Sequence, residues 1–318
     1  MIDLFNYLKF DAWIVGNHEF DWGLETFLNA VSNSNMPVLA ANISIDGKPS
    51  GEIRDRNNPF SEIRPYILKE FGGIKIAIIG VTTPGMPLWL RPEFIRGFEF
   101  EHSVEPVRRA IARAKSEGAD AIVLAGHMGL KLRTGGDDFA NNVVALTSEF
   151  PEVAAFIAGH THQTVPSRLT NGVLLTQADH FGIHIGRIDL TFDRASKKLV
   201  HRAARCELMN NRVSLDHTIL SRAKSQLNQS ASALIESIGT LAETLRVRSR
   251  PGEPSEVEEL IGGAILEELR ERDVVVDGAM HGVFDERNNF VAGPKTVADI
   301  WKLIPFENYL VHRRADDH

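Results

Sequence analysis

Three short polar segments hold the residues best suited to chemistry. They are Gly16-Asn17-His18-Glu19-Phe20-Asp21-Trp22-Gly23, Gly126-His127 and Gly159-His160-Thr161-His162. Imidazole is the commonest nitrogen ligand for zinc-like and manganese-like ions. On an extended segment, His160 and His162 share one face with a single residue between them. There they bind one ion together or reach two neighbouring ions. The glycine before each group lets the backbone turn sharply toward a ligand. A lone histidine at a strand end is usually a hydrogen-bonded structural residue, so His127 alone carries little weight. Three histidines in order, with the Asn17-His18 pair upstream, are hard to explain that way. Other catalytic signatures are missing from the sequence. There is no GxGxxG after a strand, no P-loop lysine pattern, no HExxH and no GxSxG.

The elements that must position these residues are legible as apolar runs ending in glycine. They are Ala12 to Val15, Ile74 to Ile79, Ala121 to Ala125 and Ala154 to Ala158. Continuous apolar runs suit strands buried on both faces. Helical stretches lie between them. Val104 to Glu117 has Pro106 in its first turn and Gly118 past its end. Leu24 to Ser32 is another. This alternation predicts a layered α/β domain, with ligands beyond the carboxyl ends of its strands. Val173 to Gln177 and Gly186 to Phe192 read as further strands, with a hairpin turn at Asn171-Gly172. Beyond Cys206 the spacing predicts a polar helix over 216–235 and a second helix over 255–270. The latter opens with Ser255 and Glu258 in capping-box spacing. Val274 to Val276 reads as a short strand. At the N-terminus, Ile2, Phe5 and Leu8 or Lys9 fall at helical spacing.

Composition narrows the class. The 318 residues give a prior of about two domains. The net charge of −7 argues against bulk electrostatic binding to nucleic-acid polymers. One cysteine builds neither a disulfide framework nor a CxxC metal site. No apolar run approaches the roughly 18–20 residues of a membrane span. The N-terminus lacks a signal peptide's basic start and carries Asp3 in its apolar stretch.

Together the three polar segments resemble the calcineurin-like metallophosphoesterases. More narrowly they are similar to the 5′-nucleotidase branch, with its UDP-sugar hydrolases and 2′,3′-cyclic nucleotide phosphodiesterases. Ala40-Ala41-Asn42-Ile43, the run from Gly73 to Pro84, and Ala298 to Asn308 also match that branch. The resemblance implies an α/β fold. Residues 1–208 form a four-layer α/β/β/α metallophosphatase sandwich lacking its opening strands. Residues 209–235 form a linking helix, and residues 236–318 a partial α/β 5′-nucleotidase C-terminal domain.

The resemblance also implies roles. Asn17, His127 and His160 bind one divalent ion, manganese or zinc, and His162 binds a second. His18 stabilises phosphoryl or leaving-group oxygens, oriented by Asp21. A hydroxide bridging the two ions attacks phosphorus in line. Glu19 and Trp22 are read as structural, Trp22 by packing. His180 and His184 are read as structural or peripheral. Arg133 and the loop from Gly135 to Asp138 are placed at the site's mouth. The sequence singles out no substrate-binding residue. The implied partner is a small nucleotide or related phosphoester, with no nucleic-acid polymer and no membrane span. Exported relatives imply a periplasmic or secreted parent, and these residues decide no compartment.

The sequence departs from the family pattern in two ways. The family's Asp-x-His and Gly-Asp motifs, which supply the bridging carboxylate, have no counterpart before Asn17. The sequence thus reads as truncated at both ends, with at most one metal weakly bound and activity impaired. The substrate arginine of the family's NGGxxR turn is also absent from Asp277 to Gly282. A cyclic-nucleotide phosphodiesterase or thiosulfohydrolase branch therefore stays open. So do a metal-free remnant of the fold and a nuclease of the same superfamily.

Overall fold

Three of the four apolar runs become neighbours in one sheet. The computed structural model describes residues 1–53, 59–131, 136–250, 252–282, 288–305 and 310. Two compact units are present, Met1–Asp216 and His217–His318.

In the first unit a six-stranded sheet runs in the order Thr164–Thr170, Val173–Ala178, Ala155–Ala158, Ala121–Gly126, Ile74–Val81, Tyr66–Phe71. The middle four strands are parallel and the two outer ones antiparallel. The fourth run, Trp13–Ile14, pairs in parallel with Val38–Leu39, which pairs in turn with Ile63–Arg64. Helix Val104–Ser116 buries Pro106, Val107, Ala110, Ile111 and Ala114. Of these, Val107, Ala110, Ile111 and Ala114 join Ile79, Leu124 and Phe156 in the larger core. Each fully buried valine or isoleucine contributes roughly 1.5–3 kcal/mol. A second core gathers Val15, Phe20, Phe27 and Phe98 around helix Leu24–Ser32. Phe20 lies 4.6 Å from Phe27 and 5.3 Å from Phe98 between ring centroids. This anchors the polar loop that begins at Gly16. The turn at Asn171-Gly172 has φ of 49° and 84°. Positive φ at both positions is the type I′ signature that keeps a hairpin twisted correctly.

The second unit has helices His217–Leu234, Glu256–Glu271 and Val297–Leu303, and a pair of strands, Ser237–Leu241 and Gly293–Thr296. Its core is Val247, Val257, Ile261, Phe290 and Leu303. The expected capping box is present, with Ser255 Oγ accepting from Glu258 N (3.1 Å) and Glu258 Oε2 accepting from Ser255 N (2.6 Å).

Several expectations need correction. Val274 to Val276 forms no strand, and Val275 is 91% exposed. Apolar run length alone does not supply a pairing partner. Helix Ile2–Leu8 half-buries Ile2, Leu4 and Phe5 and leaves Leu8 and Lys9 exposed. Lys9 closes it in the left-handed region at φ 56°, which ends the helical stripe early. Ile157 is 44% exposed, so its strand is not covered on both faces. Arg133, Gly135, Phe306 to Asn308 and Arg313 to His318 lie outside the described residues. Among the described residues, no helix is long and apolar enough to cross a membrane.

Candidate functional site

The carboxyl ends of three parallel strands deliver the polar segments. Val81 O accepts from His127 N at 2.8 Å, just past strand Ala121–Gly126. Gly159 N donates to Met128 O at 3.0 Å, which ties the His127 and His160 loops together. Asn17 opens the short 3-10 turn His18–Phe20 after Val15 and Gly16. Two of the glycines are required by space rather than by turning. A Cβ at Gly16 would lie 2.8 Å from both Glu19 Oε2 and His127 Nδ1. At Gly126 it would lie 2.8 Å from the Phe156 ring. At Gly159 the nearest atom is 3.6 Å away, so no such demand exists there.

The site has two halves. In the first, His127 Nε2 donates to Asn17 Oδ1 at 2.8 Å. The His127 and His160 rings are 5.1 Å apart, and Trp89 lies 5.2 Å from His160. In the second, His162 stacks on His180 at 4.8 Å with an interplanar angle of 12°. His180 Nδ1 pairs with Asp179, and His184 Nδ1 lies 4.0 Å from Asp179 Oδ2. The expectation of an extended His-x-His fails. His160 and His162 have φ of 69° and 49°, so the segment is a tight left-handed turn. Its two imidazoles reach different neighbours. Gln177, at the end of strand Val173–Ala178, steadies this turn. Its amide carbonyl accepts from His162 N (3.2 Å) and Gln163 N (3.1 Å), and its NH2 donates to Thr161 Oγ1 (3.0 Å).

His18 and Asp21 meet at 2.6 Å, Nδ1 to Oδ2. That bond, then the Asp21 charge, raises the His18 pKa above its ordinary value against the cost of desolvation. His127 moves the other way, to about 3, through burial and then the charges of His160, His18 and His162. His160 falls to about 4 through burial, then His162 and His18. His162 is lowered by burial, then by His180 and His18. His18 and His162 therefore both push down the pKa of His127 and His160, and His18 is the one of the four that favours its proton.

Glu19 is structural, as expected. Its carboxylate accepts from Gly16 N (2.7 Å) and Trp13 Nε1 (3.3 Å). Burial raises its pKa, against those two bonds. Trp22 does not pack: it is 65% exposed. A tryptophan beside a polar loop gives no sign in sequence of which way it turns. Asp137 and Asp138 brace a loop. Asp137 accepts from Val144 N and Ala145 N (2.8 and 2.7 Å), and Asp138 from Ala140 N and Asn141 N (2.9 and 2.8 Å). Sequence reading missed the contacts of Asp179, His180, Gln177 and Trp89. Only the turn chemistry of Asp179 to Gly182, rich in Asp, His and Gly, hinted at the first two.

The donor types at Asn17, His127 and His160 suit a divalent cation. They offer an amide oxygen and two imidazoles that stay neutral well below pH 7. Among the described residues, no group of three or more His, Cys, Asp or Glu is arranged to hold a metal. The nearby carboxylates are engaged: Glu19 with the backbone, Asp21 with His18 and Asp179 with His180.

Comparison with known proteins gives consistent results. The family model for calcineurin-like phosphoesterases matches residues 1–164. Endonuclease YhcR of Bacillus subtilis is 26% identical over 97% of this chain. A 5′-nucleotidase of Vibrio cholerae is 29% identical over 61% of it. The chain spans 25% and 37% of those two relatives. The solved structure of a putative 5′-nucleotidase from Staphylococcus aureus superposes with a TM-score of 0.71 at 23% identity. It covers 96% of this chain and 57% of that one, and it shows the metallophosphatase-type α/β fold.

Proposed function

Because this chain belongs to the calcineurin-like phosphoesterase family, we propose that it is a metal-dependent hydrolase of nucleotide-type phosphoesters. The carrying observation is the convergence of Asn17, His127 and His160 beside the His18–Asp21 pair. In this reading Asn17, His127 and His160 hold a divalent cation, manganese or zinc. When bound, it supplies charge neutralisation to a phosphoryl group. The chain's own residues do the rest. Asp21 orients His18 and holds its proton. His18 presents that proton through Nε2 to a phosphoryl or leaving-group oxygen. Burial keeps His127 and His160 neutral, so each has one ring-nitrogen lone pair to offer, and a cation at His127 Nε2 would replace the proton now shared with Asn17 Oδ1. His162 is assigned to a second ion, which lacks an anionic bridge among the described residues. Two cations close together need anionic ligands to offset their repulsion. The 318-residue chain is therefore expected to take up one ion weakly and to turn over slowly. We assign this chemistry to residues 1–208, a linking segment to 209–235, of which His217–Leu234 is helical, and a substrate-side domain to 236–318.

Titration with manganese or zinc, together with hydrolysis assays, tests the reading. Substrates are a nucleoside monophosphate, a cyclic nucleotide, a UDP-sugar and single-stranded DNA. Preference for the small nucleotides supports it. A second reading as a nuclease is favoured by the YhcR likeness, which spans 97% of this chain. Preference for the DNA substrate would establish it, against the charge argument.

A further inference from the structure

Beside the imidazole cluster, the first unit carries an aromatic pair that neither core includes. Trp89 ends the short helix Met86–Trp89, and Phe139 lies on the loop ahead of helix Val143–Glu149. Their rings are 5.6 Å apart and tilted by 59°. Trp89 also lies 5.2 Å from the His160 ring, at 35°. Trp89 is 40% exposed and Phe139 55%. Exposed aromatics in contact with a polar site call for an explanation that scattered surface apolars do not.

The pair is held in place. A Cβ at Gly85 would lie 2.8 Å from Trp89 Cη2 and 3.1 Å from Phe139 Cε2, so glycine is what lets both rings sit there. Thr83 Oγ1 donates to Ala140 O (2.8 Å) and accepts from Gly85 N (3.1 Å), which clamps the two loops together. Asn141 Oδ1 accepts from Gly129 N (2.9 Å), which ties the Phe139 loop to the His127 loop. A fixed aromatic surface loses little conformational entropy on binding a flat ligand. Two rings are far too small for a protein interface, which needs on the order of 800 Å² per partner. Tilted by 59°, they can offer one heterocycle a stacked face and an edge.

We infer that Trp89 and Phe139 form a stacking platform for the base of a nucleoside or nucleotide whose phosphoester lies at Asn17, His127 and His160. The orientation of that ligand rests on the phosphoester reading; the platform itself rests on the rings. Stacking tolerates any base, so the platform selects for a base rather than for which base.

Saturation-transfer NMR and calorimetry on the full chain test it, with adenosine, adenosine 5′-phosphate and ribose 5-phosphate as probes. The base protons of adenosine should receive saturation. Adenosine 5′-phosphate should bind about tenfold more tightly than ribose 5-phosphate, as expected for one stacked base. Trp89→Ala and Phe139→Ala should each cut that ratio to under about twofold and leave ribose 5-phosphate unchanged, whereas Phe139→Tyr should keep it. If Trp89→Ala fails to fold, the two Phe139 variants decide alone. Silent base protons, or a ratio indifferent to the alanine variants, would overturn the platform. Adenosine binding with silent ribose 5-phosphate would keep the platform and sink the phosphoester reading. Ribose 5-phosphate binding with silent adenosine would do the reverse.

Discussion

The two halves of the site hold similar residues in opposite circumstances. Around Asn17, His127 and His160 the imidazoles face an amide and each other, and burial keeps two of them neutral. Around His162, His180 and His184 a carboxylate, Asp179, pairs with His180 and lies near His184. The first half offers neutral donors, and the carboxylates near it, Glu19 and Asp138, are engaged with other partners. The second holds an anion already engaged with its own histidine. Metal affinity depends on which donors are available, and histidine count alone does not report it. That difference underlies the expectation of one weak cation and not two.

The largest effect should come from removing a donor in the first half. His127→Ala is expected to weaken manganese or zinc binding by more than about tenfold, read by calorimetry. His162→Ala should change it by less than about twofold. Equal losses in both variants would erase the distinction between the halves.

Next in size is Gly16→Ala. Its Cβ would collide with Glu19 and His127. Overpacking of this kind costs roughly 1–3 kcal/mol, a fall of several degrees in Tm by thermal melting. An unchanged Tm would mean that the loop relaxes freely.

A smaller effect follows from the depressed histidines. Unfolded, His127 and His160 bind protons near 6.5; folded, they wait until about 3 and about 4. Between those limits the unfolded chain holds more protons, so stability falls as pH drops from about 6.5 toward 4. His127→Asn should flatten part of that fall in a series of melts.

The smallest effect belongs to Asp21→Asn. His18, with its raised pKa, contributes stability that is present below pH 6.5 and lost as pH rises through its folded value. Without the Asp21 carboxylate its pKa should drop, as followed by NMR titration of the ring. No drop would separate His18 from Asp21.

Much of this was readable along the chain, for physical reasons. Apolar runs ending in glycine marked the strands because buried parallel strands have no polar face, and three of them became sheet neighbours. The capping box at Ser255 and the turn at Asn171-Gly172 are local chemistry, so local reading found them. Their failures have a common cause. His160 and His162 diverge because each takes a left-handed φ that an alternating pattern does not display. Trp22 faces solvent, and Val274 to Val276 lacks a pairing strand, because only tertiary packing settles either. Trp89 meets Phe139, and His162 meets His180, across separations that no spacing rule spans.

The central claim is that the first half binds one cation through Asn17, His127 and His160. Calorimetric titration of the 318-residue chain with manganese tests it most directly. The account predicts at most one weak site per chain, lost in His127→Ala and kept in His162→Ala. Two tight sites, or one site that survives His127→Ala, would contradict it.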